Sequence, residues 1–94
     1  MGGEFAFEWD DRRAASNQSK HGVLFAEAST VFGDTAAITI HDPDHSVEED
    51  RFVTIGLSGR GRLLTVCHAE REERIRIISA RKSTRGEAAS YANQ

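Results

Sequence analysis

The chain has little of most things that specialise a protein. Among its 94 residues there is one cysteine, one proline, one tryptophan, one tyrosine and one methionine. A single thiol, Cys67, excludes an internal disulfide and makes a reducing compartment the expectation. No apolar run approaches the roughly 18 residues of a membrane span. The start, from Met1 to Phe5, lacks the basic and apolar stretches of a secretory signal. The expected location is therefore the cytoplasm, with no membrane partner. Repeats, low-complexity tracts and linkers are also missing, so residues 1–94 read as a single domain with one core.

What is present is charge, and it is unevenly placed. Residues 1–59 carry 4 Lys/Arg against 11 Asp/Glu, whereas residues 60–94 carry 8 against 4. A net charge of −3 therefore conceals a basic C-terminal third, centred on Arg74-Ile75-Arg76-Ile77-Ile78-Ser79-Ala80-Arg81. Such asymmetry points to a face for a polyanion or an acidic partner.

The periodicity divides the chain. Phe5 to Trp9 alternates as a short strand or packed arm would. Asp10 is an N-cap for a helix running to about Lys20, with Gly22 as its stop. A second helix fits Phe25–Phe32, with Leu24, Ala28, Val31 and Phe32 on one stripe and Glu27 pointing away. From residue 36 the period becomes two. Strands are expected over Ala36–Ile40, Phe52–Leu57, Arg62–Ala69 and Arg74–Ala80, the middle pair joined by the turn Ser58-Gly-Arg-Gly61. Thr84–Tyr91 reads as a closing helix. Helices, then a four-stranded antiparallel meander, then a helix make an α+β fold. Alternation places Arg74 and Arg76 on one face of the last strand with Ile78 and Ala80, opposite Ile75 and Ile77.

Several of these residues also form a familiar series. Phe7-Glu8-Trp9-Asp10, Asn17, Lys20-His21-Gly22-Val23 and Phe25 with Glu27-Ala28 come first. Asp42-Pro43-Asp44-His45-Ser46, Arg51-Phe52, Ile55-Gly56, Gly61-Arg62-Leu63-Leu64 and the run Arg74 to Arg81 follow. In order and spacing the series resembles the BrnT family of toxins. That resemblance implies a RelE-like fold and a metal-independent endoribonuclease that inhibits translation, with no cofactor. It also implies a cognate antitoxin, commonly a ribbon-helix-helix DNA-binding protein, through which alone the pair meets operator DNA. An alternative is a catalytically inactive binding module or co-repressor of the same fold.

Metal-free RNA cleavage needs a base for the 2′-hydroxyl, fixed positive charge for the transition state and an acid for the departing 5′-oxygen. It leaves a 2′,3′-cyclic phosphate. Arginine suits the charge role because its planar fork holds two phosphate oxygens. Arg76 and Arg81 are the candidates, with Lys20, Arg62 and Arg74 as flanking RNA contacts. Exposed arginines on a strand also serve solubility alone. For proton transfer the candidates are His68, His21 and Tyr91. His68 is expected near Arg76 on a paired strand; His21 is also plain helix-end capping chemistry, and Tyr91 also a packing residue. The cluster from His41 to Asp50 lacks the spacing that converges metal ligands, and Cys67 reads as a small apolar residue.

Overall fold

A computed structural model describes residues 5–47 and 49–94. The chain runs β1 (Ala6–Glu8), α1 (Asp11–His21), α2 (Phe25–Ser29), a 3-10 turn (Thr30–Gly33), β2 (Ile38–His41) and a second 3-10 turn (Pro43–His45). It continues through β3 (Arg51–Leu57), β4 (Leu63–Arg71), β5 (Arg74–Lys82) and α3 (Arg85–Ala92).

Local chemistry sets the helix limits. Asp10 caps α1 by accepting from the backbone N–H groups of Arg12 and Arg13, and Gly22 ends it at φ 68°. The expected second helix tightens into a 3-10 turn at Thr30, and Leu24 makes no side-chain cap. Thr84 and Glu87 form a reciprocal capping box at the start of α3.

The sheet has the order β1-β5-β4-β3-β2. The antiparallel meander β2 to β5 is as the sequence indicates, and β1 adds a fifth strand, parallel to β5, pairing Ala6 to Glu8 with Arg74 to Arg76. One face packs on α1 and α2 around Val23, Phe25, Ala28, Val31, Leu64, Val66, Ile77 and Ala80. Trp9 meets Phe25 edge-on, and Phe7 packs on Phe32. Gly56 lets the first 3-10 turn approach β3, because a Cβ there would sit 2.8 Å from Val31 Cγ1.

Two features depart from simple alternation. Glu27, expected to point outward, is only 6% exposed. The guanidinium of Arg62 makes its burial tolerable, with Nε donating to Oε2 at 2.9 Å, and Ser58 donates at 2.8 Å. These bonds, Arg62's first, hold the Glu27 carboxyl down at a pKa of about 2.

The second departure is a bulge in β5. Cys67 pairs with Ser79, but the next residue, His68, pairs with Ile77, which leaves Ile78 unopposed. The extra residue resets the alternation. Ala80 therefore joins Ile77 in the core instead of sharing a face with Arg76. The strand-to-strand turn is also unusual: Glu72 and Glu73 both adopt positive φ, 52° and 70°, in a two-residue link that normally favours Asn-Gly.

Candidate active site on the outer face of the sheet

Cross-strand partners share a face, so the register reads out the surface opposite the core. One row is Glu8, Arg76, Ala69 and Arg51; the next is Ile40, Val53, Cys67 and Ser79; the third is Ile38, Ile55, Thr65 and Arg81. Arg76 and Arg81 are an odd number of residues apart and a regular strand would put them on opposite faces. The bulge at Ile78 puts them on one. Small side chains form the floor between them, with Arg51 and Arg76 at one end and Arg81 at the other.

A cavity of about 190 Å³ opens onto this floor, lined by Asp42, His45, Arg51, Cys67, Ile78 and Ser79 among others. A second cavity of about 200 Å³ lies on the α1 side of β5, where Arg13, Ser16, Lys20 and His21 face Ile78 and Ser79. The two share Ile78 and Ser79, so they meet at the bulge. Asn17 fixes this junction. It is 5% exposed, and its amide donates to the carbonyls of Val23 and Ala80 and accepts from the Ala80 N–H, all at 2.9–3.0 Å. An asparagine of α1 thus takes over the edge of β5 that β1 leaves free.

The electrostatics are those of restrained cations. Glu8 lies 3.3 Å from Arg76, 3.9 Å from Arg74 and 4.0 Å from Arg71, one carboxylate among three guanidinium groups. Arg81 holds Glu87 of α3 with both terminal nitrogens, at 2.7 and 2.9 Å, and Thr65 donates to the same carboxylate. Arg81, the largest cause, lowers the Glu87 pKa to about 2, and its own is raised in return. Arg51 is held more loosely, because its buried Nε makes no hydrogen bond among the described residues and has only Glu49 Oε2 at 3.5 Å.

The residues singled out from sequence fall into three groups. Arg76 and Arg81 share the outer face, and Arg74 is exposed beside Glu8. Lys20 and His21 line the α1 cavity, and Arg62 closes off its neighbourhood by pairing with Glu27 and donating to the Gly22 carbonyl. His68 and Tyr91 lie elsewhere. His68 is opposite Ile77 rather than near Arg76, 4% exposed, bonded through Nε2 to Thr54 Oγ1 at 2.7 Å and flanked by Phe32 and Phe52. Burial lowers its pKa to about 4. Tyr91 donates to Asp34 at 2.6 Å, chiefly through which its own proton is held more tightly.

Sequence reasoning missed Asn17's role, Glu8, Glu87, Arg51 and the pair Asp42–His45. It also placed no cation on the strand face of Cys67, where Arg51, Arg76 and Arg81 now stand. The Asp42-Pro43-Asp44-His45 spacing was the available signal, since a 3-10 turn brings residues three apart together.

Comparison with known proteins agrees with this fold. The crystal structure of the Brucella abortus ribonuclease toxin BrnT superposes with a TM-score of 0.67 at 20% identity, covering 87% of this chain and all of that one. No curated protein matches the chain. Residues 9–87 match the family model described as the ribonuclease toxin, BrnT, of type II toxin–antitoxin systems. The chain belongs to the BrnT family of ribonuclease toxins.

Proposed function

We propose that this chain is the toxin of a type II pair and cuts RNA without a metal, giving a 2′,3′-cyclic phosphate and a 5′-hydroxyl end. The observation that carries the reading is the β5 bulge, which sets Arg76, Ser79 and Arg81 on one face above a floor of small residues. A phosphate resting there meets two planar forks able to take up the charge of a phosphorane-like transition state. Each guanidinium already holds a carboxylate, so the phosphate exchanges for Glu8 or Glu87 and the pre-set fork is not wasted on disorder. Lys20 and Arg74 hold flanking phosphates, with Arg62 as the strut behind Gly22. His21, at the end of α1 where a cation complements the dipole, gives its proton to the departing 5′-oxygen.

The same arginine face meets an acidic segment of the cognate antitoxin, commonly a ribbon-helix-helix protein that carries the pair to operator DNA, in the cytoplasm. The alternative, an inactive binding module, draws support from the bidentate lock of Arg81 by Glu87. Expression with and without Arg76→Ala and Arg81→Ala separates them. Growth arrest by the parent, and cleavage lowered by about 100-fold in folded variants, is expected. Purified parent that leaves RNA intact overturns the catalytic reading.

A further inference from the structure

The loop between β2 and β3 holds a group that the proposed reaction still lacks. His45 Nδ1 lies 2.8 Å from Asp42 Oδ2. A carboxylate can only accept, so Nδ1 carries the hydrogen and the neutral ring presents a bare lone pair at Nε2. His45 is 71% exposed at its side chain and Asp42 23%, and both line the outer-face cavity with Arg51, Cys67, Ile78 and Ser79.

The loop is built to hold that ring over β3. Pro43 opens the 3-10 turn with its fixed φ. Ser46 Oγ donates to the Asp42 carbonyl at 2.6 Å and accepts from the Arg51 N–H at 2.9 Å, while the Asp42 N–H donates to the Arg51 carbonyl at 2.8 Å. The turn and the start of β3 are therefore one unit, and it places His45 on the same cavity as Arg51, whose buried Nε makes no hydrogen bond among the described residues and has Glu49 Oε2 3.5 Å away. A phosphate oxygen entering that cavity would meet a guanidinium held only by this long contact to Glu49, on the cavity that the His45 ring also lines.

We propose that His45 is the general base of this RNA cleavage, with Asp42 as its positioning residue and Arg51 as a phosphate ligand, an assignment that rests on the ribonuclease reading. Nε2 of His45 takes the proton of the ribose 2′-hydroxyl. The 2′-oxygen forms its bond to phosphorus, the bond from phosphorus to the 5′-oxygen breaks, and that oxygen takes the proton of His21. In-line displacement requires base and acid on opposite sides of the phosphorus. His45 lines the cavity on one side of the bulge and His21 the cavity on the other, with Ile78 and Ser79 between.

The charged and titratable groups around His45 are few. Asp42 and Asp44 belong to its own turn, and His41 at the end of β2 is taken by Asp50 at 3.3 Å. Arg51 comes from β3 with Glu49 beside it at 3.5 Å, and Cys67 from β4. The other imidazoles are placed differently, since His68 is in the core and His21 is across β5.

The test is cleavage of a short fluorogenic RNA by the purified chain across pH, for the parent, His45→Gln, Asp42→Asn and His21→Gln. Affinity for the same RNA with 2′-deoxy substitution at the cut, which cannot react, is measured alongside. The expected result is kcat lowered about 100-fold in His45→Gln and about 10-fold in Asp42→Asn. Affinity should stay within about 2-fold, with the acidic limb of the pH–rate profile lost in His45→Gln and the alkaline limb lost in His21→Gln. A parent that cleaves, with His45→Gln retaining its rate and both limbs, overturns the assignment and leaves the ribonuclease reading standing. A parent that does not cleave overturns both.

Discussion

His68 makes folding stability depend on pH in a way that can be calculated. Its ring is buried between Phe32 and Phe52 with Thr54 as its one partner, Thr54 in turn bonds Thr39, and Nδ1 has none among the described residues. Among the described residues no carboxylate bonds to it, and burial pulls the pKa from 6.5 to about 4. A folded-state value below the unfolded one means that the unfolded chain binds the proton first. The stabilisation is complete above about pH 6.5 and is lost as pH falls through the window toward 4. The full span corresponds to about 3 kcal/mol, and at about pH 5 the loss is already about 2 kcal/mol. Urea unfolding followed by Trp9 fluorescence at about pH 7.5 and about pH 5 measures it, as a midpoint lower by about 1–2 M. His68→Gln retains a partner for Thr54 but does not titrate, so its pH slope reports only the other groups. The slope should be about 2 kcal/mol smaller in the variant. Slopes equal within about 0.5 kcal/mol would refute the reasoning, because the ring would then be charged as readily in the fold as outside it.

Two further outcomes test other parts of the fold. Glu87→Gln removes the charge that α3 lends to Arg81 and weakens the capping box; amide exchange over Arg85–Ala92 should quicken by about 10-fold while affinity for non-cleavable RNA rises. In the parent that attachment is present above about pH 4.5 and given up as pH falls toward 2, the direction set by Glu87's lowered pKa. Replacing Glu72 with Asn and Glu73 with Gly relieves two positive-φ residues, and chemical unfolding should show a gain of about 1 kcal/mol or more.

How much of this was legible depends on the range over which each residue acts. Asp10, Gly22, Thr84 and the alternation in β3 and β4 act on neighbours a few positions away, and the elements they imply are present. Glu27 was misplaced because the stripe of α2 is a local pattern, whereas its partner Arg62 lies on another element. Asn17 reads in the sequence as one more polar residue of a helix; its partners at Ala80 are 63 positions away. The bulge was hidden for the same reason. Ile75, Ile77, Ile78 and Ala80 are all apolar or small, so nothing in their order says which one the ladder skips. The arginines were visible, but their common face was not.

That bulge also bears on how faithfully the chain folds. Ahead of it, β5 sends Ile75 and Ile77 toward the helices; beyond it, Ala80 goes to the core while Asn17 clasps the backbone of that same residue. A strand that docked without the skip would force Ala80 out and swing Arg81 toward α1 and α2. It would also lose both bonds between Asn17 and the Ala80 backbone. The wrong register is therefore penalised in the core before any substrate is met, so a chain that has packed its interior correctly has, by that fact, already aligned its arginines.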